Sequence, residues 1–492
     1  MDLTALTARE ARTRMLAGEL SAVEYLDDHI AAIDRLNPVV NAIVTDNFAE
    51  ARELANDADD AQVAGRSTGA LHGLPVAIKD LQPTAGLRTT YGSPQFADHV
   101  PTTDAGIVRR IREAGGIVLA KTNIPERSIG ANTVNPLFGA TGNPFDPTLT
   151  CGGSSGGSGV ALASQMAPLA TGSDHGGSVR IPACYSGVVG HRATPGIVPF
   201  EQRSMTQTFY SVQGPMARTV DDTALLLSVI ADRATGEHPH DPMMFPFDAS
   251  AFATLEPVDV SSLRIAVSED LGGVLVSEAI RRTFRERVDA IADLVALCDV
   301  HPIDLRRAPD VDWKIRSDIF VAQYHREAET WTDDFNPNIR QSYEAALTMS
   351  MTDIAAARRT QTDLNRDFQQ IFNDYDVLIC PGVSVSPFPW IHRNPSEIDG
   401  APVDNYMAWL ALSSSLTVVG HPVTALPCGS DEFAMPFGLQ VVGPMYRDHK
   451  LLSTAAALED AFSDSTTLAR PVPDLDWLAT QDARCRDAGA AT

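Results

Sequence analysis

Lysine is almost missing from this chain: only four of its 492 residues are lysines, and arginine supplies the other positive charges. One of the four, Lys79, ends the apolar run GLPVAIK at residues 73–79. Arginine stays protonated in proteins, whereas lysine loses its proton when burial or neighbouring charges lower its pKa enough. A lysine kept at the end of an apolar segment is therefore a candidate general base.

Other absences narrow the class of protein. No stretch of about eighteen apolar residues occurs, so the sequence predicts no membrane-spanning helix. Residues 1–10 lack a basic region followed by an apolar run, and we therefore expect no secretory signal. The net charge of −25 argues against nucleic acids and anionic membranes as partners, because both would repel the chain. Six scattered cysteines without a Cys-x-x-Cys pair indicate free thiols and a cytoplasmic protein.

Two glycine-rich segments carry serines with glycine neighbours: CGGSSGGSG at 151–159, with Ser154, and GSDHGGSVRIP at 172–182, with Ser178. A phosphate-binding loop would need a Lys-Ser/Thr pair or Gly-x-Gly-x-x-Gly, and the first segment has neither. The apolar residues 160–163 directly after it argue against a flexible linker. Glycine lets adjacent N–H groups point at one oxygen, so the pattern favours a nucleophilic hydrolase that works without histidine.

These motifs resemble those of a known family. The strand ending Ile-Lys-Asp, the string GGSSGG and the string DHGGSVRIP follow the three patterns of the amidase signature family of Ser-Ser-Lys hydrolases, in the same order. The resemblance extends from about Arg12 to Phe462. It implies an α/β fold with one large domain, in which helices cover both faces of a mixed central β-sheet. We expect this domain at 1–483, with the signature core at about 70–220, and a disordered tail at 484–492.

The resemblance also implies an amidase that hydrolyses the C–N bond of a carboxamide. Ser178 corresponds to the nucleophile, Lys79 to the base, and Ser154 to the relay between them, joined to Gly153 by a cis peptide bond. The oxyanion hole would consist of four backbone N–H groups, those of His175, Gly176, Gly177 and Ser178. Asp174 and Arg180 would pair beneath this loop as structural support. The implied chemistry needs no cofactor and no metal.

Departures from the family pattern concern the substrate. His175 stands where relatives more often have threonine or a small or apolar residue. Arg127 stands where they often carry an apolar or aromatic residue near the substrate pocket. Arg127, Ser128 and His175 are therefore the candidate substrate-binding residues. The expected partner is a small-molecule amide, and the sequence allows a homodimer.

Two other functions stay open. One is the glutaminase subunit of a tRNA-dependent amidotransferase. Members of that branch usually have glutamine where this chain has Ile181, and residues 407–420 lack an acidic residue that could bind the amino group of glutamine. The other is a catalytically inactive scaffold, which the presence of Lys79, Ser154 and Ser178 together disfavours. The sequence favours a freestanding amidase.

Periodicity and capping signals predict the elements around these motifs. Two helices are expected over 5–34, the second beginning after Ser21 with Glu24 in a capping box. Strands at 74–78 and 116–120 should flank a helix near 104–114. The other expected elements are helices at 160–166, 219–233, 274–297 and within 311–375, strands at 263–267 and 377–380, and a strand–turn–helix unit at 439–462. A surface loop is expected at 235–250, with solvated His238 and His240 rather than a metal site.

Overall fold

The computed structural model describes residues 2–203, 205, 208–231, 241–244, 247–332, 335–482 and 485. Much of the predicted loop at 235–250, including His238 and His240, and most of the predicted tail at 484–492 lie outside the described residues. Cys485 is described, and its buried thiol donates a hydrogen bond to the Pro147 carbonyl oxygen over 3.4 Å. The prediction of disorder therefore does not hold for Cys485.

A mixed sheet of eleven strands forms the centre of the molecule. The strands of the described residues are β1 (Ile43–Asp46), β2 (Pro75–Lys79), β3 (Ile117–Thr122), β4 (Val134–Asn135), β5 (Gly139–Ala140), β6 (Leu169–Asp174), β7 (Val189–Arg192), β8 (Val212–Ala217), β9 (Arg264–Val267), β10 (Leu297–Val300), β11 (Val377–Pro381), β12 (Glu397–Ile398), β13 (Ala401–Pro402), β14 (Val423–Ser430) and β15 (Pro436–Val442). The order in the large sheet is β1-β3-β2-β6-β8-β7-β14-β15-β11-β9-β10. Three parallel strands at one end (β3, β2, β6) and three at the other (β11, β9, β10) flank antiparallel pairs.

Helices cover this sheet. Those of the described residues are α1 (Ala8–Leu16), α2 (Ala22–Val40), α3 (Phe48–Val63), α4 (Gly106–Glu113), α5 (Gly156–Ala163), α6 (Arg180–Ser186), α7 (Val220–Ile230), α8 (Glu278–Ala292), α9 (Ala308–Tyr324), α10 (Pro337–Leu347), α11 (Met351–Gln369), α12 (Ala411–Val419), α13 (Asp448–Ser463) and α14 (Leu475–Leu478). Every residue of β2, β3, β8 and β15 is buried. Because successive side chains of a strand point to opposite faces, both faces are covered, as predicted. Within the described ranges, no helix has both the length and the apolar character needed to cross a bilayer.

Several local predictions are confirmed. Ser21 and Glu24 form both halves of a capping box at the start of α2. The strands predicted at 74–78 and 116–120 are β2 and β3, and the helix between them is α4.

Two helix boundaries were wrong. The helix after the first glycine-rich segment begins at Gly156 and not at Val160, because glycine permits close packing there. A Cβ atom on Gly157 would lie 2.3 Å from the backbone nitrogen of Asn123. The helix predicted at 274–297 starts only after Ser277, whose side chain caps α8, and Leu297 already belongs to β10.

The parallel strands β2 and β6 position the chemistry-bearing residues. The two are neighbours in the sheet, so their carboxyl ends lie at the same edge. β2 ends at Lys79, and β6 ends at Asp174, four residues before Ser178. α5 packs against β2, β3 and β6 and begins directly after Ser154 and Ser155. The three predicted catalytic residues therefore come from the ends of adjacent elements.

Candidate active site

The amine of Lys79 lies at the centre of a buried cluster of serine hydroxyls. Its Nζ is 2.7 Å from Ser154 Oγ, 2.9 Å from Ser155 Oγ and 2.8 Å from Ser173 Oγ. The side chain is fully buried. Burial lowers the pKa of Lys79 to about 7, while the negative charge of Asp174 acts in the opposite direction.

This arrangement suits a neutral amine. A neutral lysine has two N–H donors and one lone pair, and a hydroxyl can either donate or accept a hydrogen bond. Three hydroxyl partners therefore satisfy all three sites, with one serine donating to Nζ. The contacts involve no carboxylate, so an ammonium form has no directly bound counter-ion here.

Ser155 and Ser173 extend the predicted set of residues. We expected Ser155 only to hold the loop; it does so, since its N–H donates to the Ser178 carbonyl oxygen over 3.1 Å, but it also contacts Lys79. Ser173 was not singled out in the sequence, although it directly precedes Asp174. The only signal was its position on β6, whose end meets that of β2.

The loop that carries Ser178 has the backbone form that an oxyanion hole requires. Among the described residues, no hydrogen bond engages the N–H groups of His175, Gly176 and Ser178. Gly177 departs from the prediction, because its N–H donates to Asp174 Oδ1 over 3.0 Å. Its φ of 120° is one that only glycine adopts easily, so Gly177 shapes the loop. The Gly153–Ser154 peptide bond is cis, as the resemblance implied.

A buried ion cluster holds this loop from below. Asp174 accepts from the Val179 N–H at 3.1 Å, from Arg180 Nε and Nη2 at 3.0 and 2.9 Å, and from Arg192 Nη1 at 3.3 Å. Burial would raise the pKa of Asp174, but the two guanidinium groups outweigh it and hold the pKa well below its ordinary range. The pairing of Asp174 with Arg180 is as predicted, whereas the part played by Arg192 was missed.

Replacing Asp174 by asparagine is expected to lower the free energy of unfolding by about 3–5 kcal/mol, because two buried cations then lose their counter-ion. The control is Asp310→Asn, which removes an exposed carboxylate from an i,i+4 pair with Lys314 and should cost less than about 1 kcal/mol. Urea unfolding of both variants measures the difference. Equal losses in the two variants would contradict a supporting role for the buried cluster.

A cavity of about 420 Å³ adjoins the loop. Ser154, Ser173 and Ser178 all line it, so the predicted nucleophile and relay face the same space. The rest of its wall is mainly apolar and aromatic: Leu81, Pro83, Tyr91, Phe96, Ile129, Phe200, Ile319 and Phe320. Such a lining is typical of a small-molecule site with a few placed polar groups.

The predicted substrate-binding residues also line this cavity. Arg127 is held in place by Glu327, at 2.9 Å, and by Gln95, at 2.6 Å. Ser128 has a φ of 61°, which is rare for serine, and its buried Oγ has no hydrogen-bond partner. His175 is half-buried, and its Nδ1 lies 2.8 Å from Ser211 Oγ. Their roles toward a substrate stay predictions.

Comparison with known proteins identifies the family. A family model described as Amidase matches residues 24–452. The chain belongs to the amidase signature family. An acylamidase of Rhodococcus erythropolis is 33% identical over 465 residues, covering 92% of this chain and 95% of the relative. A relative from a Picosynechococcus species, which belongs to a glutamyl-tRNA(Gln) amidotransferase, is 32% identical over 485 residues, covering 92% and 97%.

The fold is that of solved amidase signature structures. A bacterial aryl acylamidase of this family matches with a TM-score of 0.85 and 24% identity, covering 97% of this chain and 99% of that one. The protein is therefore an amidohydrolase of the amidase signature family. The described side chains place no group of three or more His, Cys, Asp or Glu where it could hold a metal ion.

Proposed function

We propose that the protein is an amidase that cleaves the C–N bond of a carboxamide through an acyl-enzyme on Ser178. The observation that carries the proposal is the contact between the buried Lys79 Nζ and Ser154 Oγ at 2.7 Å, at the wall of the cavity that Ser178 also lines. A serine hydroxyl is a weak nucleophile unless a base removes its proton. Lys79, acting through Ser154, is that base.

Acylation begins with the neutral amine of Lys79. Its lone pair takes the proton of Ser154 as Ser154 takes the proton of Ser178, and Ser178 Oγ bonds to the carbonyl carbon. The tetrahedral oxyanion is bound by the N–H groups of His175, Gly176 and Ser178, each essential donor contributing roughly 3–4 kcal/mol. The ammonium of Lys79 then returns the proton through Ser154 to the leaving nitrogen, and the C–N bond breaks.

Deacylation repeats these steps with water. The relay removes a proton from a water molecule that attacks the ester carbon, and then returns that proton to Ser178 Oγ. The products are a carboxylic acid, released as its carboxylate, and ammonia or an amine. The residues of the chain account for every proton transfer without a cofactor.

His175 is the rival base, because it also lines the cavity next to Ser178. Burial, together with Arg316 and Arg192, lowers the pKa of His175 well below its ordinary value. An imidazole with so low a pKa is a poor proton acceptor at neutral pH. Its side chain also lies against Tyr210 and Ser211. We therefore assign it the backbone N–H role alone.

The glutaminase alternative draws support from the amidotransferase relatives, but the residues do not favour it. Ile181 replaces the usual glutamine, and Tyr406, Met407 and Leu410 offer no charge for an amino group. An inactive scaffold is disfavoured because Lys79 and Ser154 are in direct contact. Copurification with a small partner protein would favour the glutaminase. A cytoplasmic location stays a prediction.

The pH dependence of kcat/KM tests the proposed base. With the pKa of Lys79 at about 7, the neutral fraction rises from about a tenth at pH 6 to about nine tenths at pH 8. We expect kcat/KM to increase about tenfold per pH unit on the acid side and to level off above neutrality. The measurement is kcat/KM on a carboxamide from pH 5 to pH 9. A flat profile, or one that falls through this range, would contradict a lysine base.

A further inference from the structure

A second, much smaller cavity lies on the other side of Ser178. Its volume is about 30 Å³, and its lining includes His175, Gly176, Ile181, Arg316 and Met407. His175 and Ser178 line both cavities, whereas Ser154 is among the lining residues of the large one alone within the described chain. Ser178 therefore stands at the junction of two spaces of very different size.

The walls of the small cavity are fixed by contacts of their own. Arg316 is buried, and it donates to the Tyr406 hydroxyl at 2.6 Å and to Met407 Sδ at 2.7 Å. Asp312, one helical turn earlier, lies 3.8 Å from the guanidinium of Arg316. Because these side chains hold one another, a ligand cannot deepen the cavity without breaking buried polar contacts.

The proposed mechanism decides which part of a substrate enters each space. Ser154 must hand a proton to the leaving nitrogen, so the amine part of the amide lies in the large cavity that Ser154 lines. The substituent on the other side of the carbonyl carbon then points toward Gly176 and the small cavity. A volume of about 30 Å³ is the share of one water molecule in the liquid, and a methyl group is of similar size.

We propose that this amidase selects amides of short carboxylic acids with large, apolar amines, such as anilides of acetic acid. The inference rests on the proposed function, because it uses Ser154 as the proton donor. The large cavity supplies apolar surface for the amine from Tyr91, Phe96, Phe200 and Phe320. Met407 and Arg316 are the residues that limit the acyl group.

Two isomeric amides test the orientation. Acetanilide and 2-phenylacetamide contain the same atoms, but the first has the aromatic ring on nitrogen and the second has it on the acyl side. We expect kcat/KM for acetanilide to exceed that for 2-phenylacetamide by a factor on the order of 10², since the ring does not fit the small cavity. A preference for 2-phenylacetamide would overturn the inference.

An acyl series with a common leaving group tests the depth of the cavity, free of differences in leaving-group reactivity. Butyranilide should have a kcat/KM at least about tenfold below that of acetanilide, because its two further methylenes exceed the space. Met407→Ala should shrink this ratio toward one. The matched truncation Phe96→Ala, in the large cavity, should leave the ratio unchanged. Equal turnover of both anilides by the wild type, or an unchanged ratio in Met407→Ala, would overturn the inference.

A fluorophosphonate separates this inference from the proposed function. If Ser178 is labelled but neither isomer is turned over, the selectivity is wrong and the nucleophile stands. If Ser178 is not labelled, the proposed function fails together with the inference.

Discussion

Replacing Ser178 by alanine is expected to lower kcat on a carboxamide by a factor on the order of 10⁴ or more, because no acyl-enzyme can form without its oxygen. The remaining rate would come from substrate binding and from the N–H groups of the loop, which the change leaves in place. The side chain is small and only half-buried, so the variant should fold. The measurement is amine or ammonia release at saturating substrate.

Ser158 offers a matched control in the same glycine-rich environment. Its hydroxyl donates to the Thr171 carbonyl oxygen over 2.9 Å and has no place in the proposed relay. Ser158→Ala removes the same atom type and should change kcat far less than Ser178→Ala. Comparable losses in both variants would mean that serine removal disturbs the fold and would leave Ser178 without a special role.

The replacement Lys79→Arg should lower kcat by a factor of at least about 10², the usual scale of general-base catalysis. Arginine keeps the positive charge but cannot give up its proton, so Ser154 has no acceptor. Lys79→Ala should be damaged to a similar extent, because it too removes the base. Circular dichroism and kcat against pH, measured on both variants, separate loss of the base from loss of the fold.

Lys314→Arg is the control for this experiment, since Lys314 is partly exposed and pairs with Asp310 at 2.7 Å. It should leave both kcat and the pH profile as in the wild type. Lys121 is a less suitable control, because it is fully buried and burial lowers its pKa to about 8. A folded Lys79→Arg enzyme with near-wild-type turnover would make Lys79 a structural charge and would direct attention to His175.

The sequence predicted the parts of the site that lie in continuous motifs. Lys79 at the end of an apolar strand, and Ser154 and Ser178 in glycine-rich segments, come together because β2 and β6 are parallel neighbours. Local signals were enough for the capping box of Ser21 and Glu24. These features depend on residues close together in the chain, and periodicity and capping describe them directly.

Contacts between distant segments could not be predicted in this way. Arg316 comes near His175 and Gly176 only because α9 packs against α12, and no local pattern announces that contact. Ser173 contacts Lys79 across 94 positions of the chain. The loss of Gly177 as an oxyanion donor follows from the orientation of the Asp174 carboxylate, which the motif alone does not give.

The most direct test of the central claim is the site of the covalent adduct formed with a fluorophosphonate, read by intact mass and by peptide mapping. The account predicts one adduct per chain, on Ser178, with no adduct in Ser178→Ala. In Ser154→Ala the adduct should form more slowly but on the same residue, since only the relay is removed. An adduct on Ser154, or full labelling of the Ser178→Ala protein, would contradict the assignment of Ser178 as the nucleophile.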